Sequence, residues 1–445
     1  MTGPSDTHIV IAGGGLSGAL LAVFLGQRGF RVSVYEHRED IRTATIVRGR
    51  SINLAISTRG LHALSRVGLE KKCLEMCVPM TGRLMHSVEG ELTYQPYGTE
   101  ESQAIHSVSR GGLNQMLLEE ADELDNVTLH FQERCVDVDF DRPAVTFENA
   151  RTGERTEVTC DVLIGADGAF SAVRGRMQRR DRFTYSQTYL DHGYKELHIP
   201  PAENGGFRIE KNRLHIWPRH QSMMIALPND DGSFTVTLFW PLDGDRSFSA
   251  LSTESEVRAF FERWYEDAIV HMPTYVDDYL STPASSLVTV RCYPWSVAGR
   301  VSLVGDACHA VVPFYGQGMN AAFEDCEVLA DCIDEFTGNW HRILDEYQRR
   351  RKRNVDALSD LAIENFVEMR DRVASPWFLF KKQLGKICHR LFPTAFVPLY
   401  SMVTFSRIPY ADARERSRRQ VKTIQWTLSV IGVILLLLVW RLVWH

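Results

Sequence analysis

The sequence predicts an α/β chain in which a mostly antiparallel sheet interrupts a parallel, helix-covered one, followed by helices and one apolar span. Three observations predict it. A short apolar strand at residues 8–11 runs into a glycine-rich turn and an apolar helix. Two later buried strands, at 162–165 and 301–304, end in Asp-Gly or Gly-Asp turns. Residues 426–444 are almost wholly apolar.

At 445 residues the chain can hold about two to four folding units of ordinary size. Its hydrophobic share of 44% and charged share of 24% exclude a disordered tail, a collagen-like repeat and a polytopic membrane protein. Lys+Arg numbers 50 against 56 for Asp+Glu, so the net charge is −6 and a dedicated nucleic-acid binder is not expected. Nine cysteines, an odd count without a C-x-x-C pair, are expected to be reduced thiols facing a reducing compartment. Met1 to Thr7 contain no Lys or Arg before the first strand, so a signal peptide is not expected.

In chain order, His8–Ile11 reads as the first strand, and Ala19, Leu21, Ala22, Phe24 and Leu25 as the helix after it. Arg31–Glu36 alternates like a second strand, completing a βαβ opening. Val127–Phe131, Ala144–Phe147 and Val162–Gly165 read as further strands. From about 181 to 290 the segments LHIWP, MMIALP and FTVTLFW are aromatic, strand-like and punctuated by Pro and Gly, which predicts a mostly antiparallel sheet. Val301–Val304 returns to a buried strand. Beyond about 318 the chain is mainly helical, with Arg349–Arg353 expected on a solvated face.

Gly13-Gly14-Gly15-Leu16-Ser17-Gly18 satisfies G-x-G-x-x-G between a strand and a helix. Gly13 permits the tight turn, Gly15 lets backbone N–H groups approach a pyrophosphate, and Gly18 allows close helix–strand packing. The helix N-terminus offers its dipole to the phosphates. Glu36, at the end of the second strand, can accept hydrogen bonds from a ribose. This element alone fits NAD or FAD. Asp167-Gly168 after the VLIG strand, with Arg174 beyond it, and Gly305-Asp306 before ACHAVVPFYGQGMNAAFED narrow the choice. An Asp at such a strand end can hold a ribityl hydroxyl. The amides of Gly318, Met319 and Asn320 would open a helix toward a flavin ring.

The tail reads as a membrane span. Nineteen residues from Trp426 to Trp444 hold one charge, Arg441, and as a helix reach roughly 28 Å. Trp426, Trp440 and Trp444 fit an aromatic belt, and Arg414, Arg416, Arg418, Arg419 and Lys422 form a basic collar. A buried core helix is the alternative, but this run has no polar face. A tail anchor with the bulk of the chain in the cytosol is expected. The short span and basic flank suit the mitochondrial outer membrane better than the endoplasmic reticulum.

Taken together, GxGxxG, then DG, then GD with PFYGQGMNAAFED resemble the single-component FAD-dependent aromatic hydroxylase family. The segments RGRSINLAIS (48–57), SVSRGGLN, HGYKELHIPP, LHIWPR, MMIALPN, ENFVEMRD and PLYSMVTFSRI narrow the resemblance to its kynurenine-hydroxylating members. It covers nearly all of the chain before the apolar tail, and the tail is itself similar to the anchored eukaryotic forms.

The resemblance implies hydroxylation of L-kynurenine to 3-hydroxy-L-kynurenine with bound FAD, NADPH as co-substrate and O₂, through a flavin C4a-hydroperoxide. It implies Arg83 as the carboxylate-binding cation, with Tyr97, Asn365 and Tyr400 completing the polar end and Glu368 as a weaker candidate. Phe239, Pro313 and Phe314 would form the apolar side. Tyr315 stands where the family often has Phe, which puts the pocket's polarity in question. For FAD the resemblance implies Ser17, Tyr35, Glu36, His37, Arg38, Ala55, Arg110, Cys135, Asp306, Met319 and Asn320 beside Gly13, Gly15 and Gly18. It implies no catalytic side chain beyond the flavin and no metal, and NADPH that docks transiently without a second Rossmann unit. His309 is expected to be a satisfied helix-entry residue. The expected division is an FAD-binding domain of Rossmann type in two parts, 1–180 (including pocket residues around 83–97) and 291–345. A substrate sheet at 181–290, a helical region at 346–422 and the transmembrane anchor at 423–445 complete it. Another FAD-dependent hydroxylase, or a membrane-tethered flavin-binding scaffold without turnover, fits the same motifs.

Overall fold

The computed structural model describes residues 4–43, 53–98, 103–142, 144–367 and 389–444. The chain opens with β1 (His8–Ala12), α1 (Leu16–Gly26) and β2 (Arg31–Glu36). Then come β3 (Asn53–Ile56), α2 (Thr58–Ser65), α3 (Glu70–Glu75), β4 (Val78–Met80), β5 (Gly82–His86) and β6 (Leu92–Pro96). β7 (Ile105–Ser109), α4 (Arg110–Asp122), β8 (Val127–Phe131), β9 (Glu133–Asp139), β10 (Ala144–Asn149), β11 (Arg155–Thr159), β12 (Val162–Gly165) and α5 (Ala172–Met177) follow.

The middle of the chain supplies the long strands β13 (Thr184–Ile199), β14 (Leu214–Arg219), β15 (Ser222–Pro228) and β16 (Phe234–Pro241). Helices α6 (Glu254–Trp264), α7 (Glu266–Ile269) and α8 (Tyr275–Ser281) precede β17 (Ser285–Tyr293), β18 (Ser296–Val297) and β19 (Val301–Leu303). The rest is helical: α9 (Asp306–His309), α10 (Gly318–Glu335), α11 (Trp340–Val367), α12 (Leu399–Thr404) and α13 (Tyr410–Val443).

One six-stranded sheet has the order β18-β19-β12-β1-β2-β8, parallel except at the β18 edge. Its central strands β1 and β12 read as continuous apolar runs because they are buried on both faces, while β2 alternates. α1 is apolar all round and is buried between this sheet, α4 and α10. Close packing there requires glycine: a Cβ on Gly18 would lie 1.9 Å from the Gly13 carbonyl oxygen, and Gly13 itself sits at φ +106°. Leu20, Leu21 and Phe24 are fully buried in the resulting core, each worth about 1.5–3 kcal/mol of hydrophobic stabilisation.

A seven-stranded sheet has the order β17-β13-β16-β15-β14-β5-β6. It differs from the expected pattern in one place. β5 pairs in parallel with β14, Arg83 opposite Leu214 and Met85 opposite Ile216. The sheet therefore takes two strands from the first quarter of the chain. Its faces divide the residues by the two-residue period of a strand. Leu84, Trp217, Met224, Ala226, Val236 and Leu238 are buried on one face, and that side packs on α6, α7 and α8. Arg83, Ile216, Ile225, Thr237 and Phe239 face a large cavity on the other. Two small antiparallel sheets, β11-β10-β9 and β3-β7-β4, flank the whole.

The basic stretch Arg349–Arg353 is not wholly solvated, as the sequence had suggested. Arg351 is 2% exposed and ion-paired with Glu324 and Asp325 (2.6 Å to the latter). One guanidinium turned inward on a helix is invisible in a run of five basic neighbours. α13 is a single 34-residue helix. Its first turns pack on α11 and α12, with Ala411 and Ala413 buried. Part of the basic collar is committed to the body: Arg414 pairs with Asp360 and Glu364, and Arg416 donates to the Thr394 carbonyl (2.6 Å). Beyond it the helix is apolar, with mean hydropathy 2.1, and long enough to cross a membrane. Among the described residues all eight cysteines are free thiols.

Candidate active site

A single cavity of about 1090 Å³ runs from the β1–α1 turn to the open face of the seven-stranded sheet. At the first end, Gly13, Gly15 and Ser17 line it. Beside them Glu36 accepts from the Gly14 N–H (2.8 Å) and from the Arg38 N–H and Nε (3.0 and 2.7 Å). Burial pushes the Glu36 carboxyl up, but the Arg38 bonds and charge outweigh it and hold the group ionised below its ordinary value. Tyr35, His37, Arg38 and Cys135 complete this end. Burial keeps the Cys135 thiol protonated.

The two Asp-containing turns meet at the cavity's middle. Asp167 Oδ2 accepts from the Ala172 and Val173 N–H groups (2.7 and 3.2 Å). Its Oδ1 is buried without a partner among the described residues, and burial raises its pKa. Arg174, 3% exposed, donates to the carbonyls of Ala169 (2.6 Å) and Ala307 (2.7 Å), stapling one turn to the other. Asp306 opens α9 on the cavity wall. α10 starts there too: Gly316, Gln317, Gly318 and Met319 line the cavity, so the positive end of its dipole points inward.

At the far end lies Arg83. Its guanidinium carbon is 5.5 Å from the Tyr97 ring centre and 5.2 Å from that of Tyr400. Those rings stack 5.4 Å apart. Among the described residues no carboxylate pairs with Arg83, and both its Nε and the Tyr97 hydroxyl are buried without a hydrogen-bond partner. An arginine stays charged, and a buried, unpaired cation is costly unless an anion comes to it. The adjoining wall is apolar: Phe239 and Phe314 lie 5.1 Å apart, with Met223 and Ile225 beside them.

A family profile described as an FAD binding domain matches residues 6–362. Curated relatives named kynurenine 3-monooxygenase match along most of the chain. The protein from Myxococcus xanthus is 47% identical over 402 residues, covering 90% of this chain and 86% of its own. That from Dictyostelium discoideum is 45% identical, covering 92% and 90%, and that from Sus scrofa 43% identical, covering 97% and 91%. The chain belongs to the kynurenine 3-monooxygenase family. The fold is shared more widely. A 2-methyl-3-hydroxypyridine-5-carboxylic acid oxygenase aligns at TM-score 0.66 and 20% identity, over 84% of this chain and 95% of that one. PqsL of Pseudomonas aeruginosa, in complex with 2-aminobenzoylacetate, aligns at 0.65 and 22%, over 82% and 97%.

As a kynurenine 3-monooxygenase family member, the chain is an FAD-dependent enzyme with NADPH as co-substrate. The cavity fits FAD. Its floor at Gly13 has no room for a Cβ, its centre holds the orphan Asp167 oxygen, and a helix N-terminus faces it.

Fifteen of the residues singled out from sequence line this one cavity: Gly13, Gly15, Ser17, Tyr35, Glu36, His37, Arg38, Ala55, Arg83, Tyr97, Arg110, Cys135, Asp306, Met319 and Tyr400. Three stand behind its wall. Gly18 packs against the Gly13 carbonyl. The Asn320 side chain donates to the Ala55 carbonyl (2.9 Å) and accepts from the Ser57 N–H (2.9 Å), fixing the joint between β3 and α2. Asn365 donates to the Phe314 carbonyl (2.7 Å) and so holds the apolar wall from outside. Glu368 lies outside the described residues. Tyr315 lies 6.0 Å from the Tyr400 ring, so its hydroxyl belongs to the arginine end of the cavity. Sequence reasoning passed over Arg59, which stands in no chemical motif, and over Glu324, which stands in the PFYGQGMNAAFED segment without a role assigned to it; both lie behind the site.

His309 is 3% exposed, with Nε2 2.5 Å from Asp325 Oδ2. Cys308, His309 and Asp325 place ligand-type atoms within 4.8 Å of one another. The Asp325 oxygens are already taken by Arg351, His309 and the Gly305 N–H. That guanidinium makes the cluster an ion-pair network rather than a cation site.

Proposed function

We propose that the enzyme hydroxylates L-kynurenine at ring position 3, consuming NADPH, a proton and O₂ and releasing NADP⁺ and water. The observation that carries this reading is Arg83, which pairs with no carboxylate among the described residues and lies beside two stacked tyrosines at the opposite end of the cavity from the glycine turn. FAD, when bound, supplies dioxygen activation with electrons from NADPH. Gly13, Gly15 and Ser17 would hold its pyrophosphate, Glu36 and Arg38 its adenosine ribose, and Asp306 its ribityl chain. Ala55, Arg110, Met319 and the α10 N-terminus would face the ring system. Tyr35, His37 and Cys135 would complete the cradle, and Asn320 would brace it from behind.

The chain's residues then do four things. The Arg83 fork grips both oxygens of the substrate carboxylate, a geometry lysine cannot match. Tyr97 and Tyr400 add hydroxyls to that end, while Asn365 keeps the facing wall in place. Phe239, Pro313 and Phe314 close on the aromatic ring and exclude water. The substrate's own amine activates the ortho carbon, so no side chain need act as a strong base. Incubation with L-kynurenine, NADPH and air tests the reading by mass spectrometry. A product one oxygen heavier at the ring supports it. Consumption of NADPH without that product sinks it.

We further propose that α13 anchors the catalytic body to the cytosolic face of the mitochondrial outer membrane. Its exposed apolar span, its tryptophans and the basic residues before it support this. Alkaline extraction of fractionated cells tests it. Release into the soluble fraction would count against the anchor, and recovery with other membranes would move the address.

A further inference from the structure

We propose that Arg59 positions Tyr400 over the substrate end of the cavity by clamping the C-terminal segment to the cofactor side. The inference rests on the proposed role of Tyr400. Arg59 is the second residue of α2, two positions after Ser57 and four after the cavity-lining Ala55. It is 1% exposed. Its Nε donates to the Val403 carbonyl (3.4 Å) and an Nη to the Ile408 carbonyl, on either side of the turn between α12 and α13. Val403 is in the last turn of α12, where helical carbonyls lack intrahelical partners and a cation is favoured. Tyr400 lies one turn earlier on that helix. The guanidinium also lies 4.1 Å over the Tyr410 ring, at the start of α13.

The buried charge is matched on the cofactor side. Glu324 of α10 takes Arg59 on Oε1 (2.7 Å) and Arg351 on Oε2. Arg351 continues to Asp325, which accepts from the Gly305 N–H (3.1 Å) at the Gly-Asp turn. A second tie runs beside it: the Tyr410 hydroxyl donates to Gln317 Oε1 (3.0 Å), and Gln317 Nε2 donates to Ser57 Oγ (3.2 Å). α12 is only six residues long, and Met402 and Val403 pack it on the Leu358, Leu361 and Tyr410 cluster. That packing holds the helix on the body, and the Arg59 bonds fix the end of it that follows Tyr400.

The test uses the full-length, FAD-loaded chain. Arg59→Lys keeps a cation for Glu324 but loses the fork that reaches both carbonyls. With flavin absorbance at the parental level, KM for L-kynurenine should rise about tenfold while kcat stays within about twofold. Amide hydrogen exchange should quicken at residues 399–408 and not in the sheets. Unchanged KM together with unchanged exchange there overturns the proposal. Exchange that quickens throughout the core, with loss of flavin, also overturns it, because Arg59 would then be a general stability residue. Tyr400→Phe separates the two layers. If that variant leaves KM unchanged, the site assignment fails, while exchange at 399–408 in Arg59→Lys still decides the clamp.

Discussion

The Arg83 guanidinium lies 5.2 Å over the Tyr400 ring, although one comes from the next-to-last strand of the seven-stranded sheet and the other from the short helix α12. Two independently built parts of the protein meet at one charge.

Arg83→Met should therefore leave the cofactor end untouched. Loss of a charge-assisted contact of about 1.5–3 kcal/mol predicts a rise in KM for L-kynurenine of about ten- to a hundredfold, with flavin still bound. Steady-state kinetics on the yellow protein checks this.

Gly13→Ala should strip flavin. The new Cβ would sit 2.4 Å from the Ala166 carbonyl oxygen at φ +106°. Backbone strain alone is worth about 1–3 kcal/mol. Flavin released on gel filtration, with a lower melting temperature, is the expected result.

Stability should fall on mild acidification. Burial lowers the His215 pKa to about 4 from 6.5, and its ring joins His86 (2.9 Å) to the Glu210 carbonyl (2.8 Å) on the closed side of the sheet. The folded value lies below the unfolded one, so the unfolded chain takes up a proton that the folded chain refuses. Stability is complete above about pH 6.5 and is lost as pH falls from there to about 4, by at most about 3 kcal/mol. In His215→Gln the slope of denaturant midpoint against pH across that window should flatten.

A chain ending at Lys422 should keep the Arg414 and Arg416 contacts and lose the apolar span. It should stay folded and no longer float with phosphatidylcholine vesicles. Flotation of the shortened chain would locate a second lipid-binding surface in the body.

Much of the cofactor end was legible in the sequence because its residues are consecutive: a strand, a glycine turn, a helix and a closing acid write themselves locally. Tyr35 and Cys135 were reached only through resemblance, since each is an ordinary core residue by composition. The arginine end was harder still. Nothing within residues 80–90 says that Arg83 will pair across to Leu214. Arg351 and Arg59 were missed for the opposite reason. Each stands among polar neighbours, and only the three-dimensional arrangement turns it inward to Glu324.

β5 carries a last consequence, for the order in which the protein is made. When Gly82–His86 leaves the ribosome, its only hairpin neighbour is β6, and the β14 side of its ladder stays open. At about 5–20 residues per second, Leu214–Ile216 follow roughly ten seconds later. During that interval the nascent chain carries an unmet strand edge beside an unmet cation. This places the peak of vulnerability to chaperones and proteases midway through translation, well before the apolar tail appears.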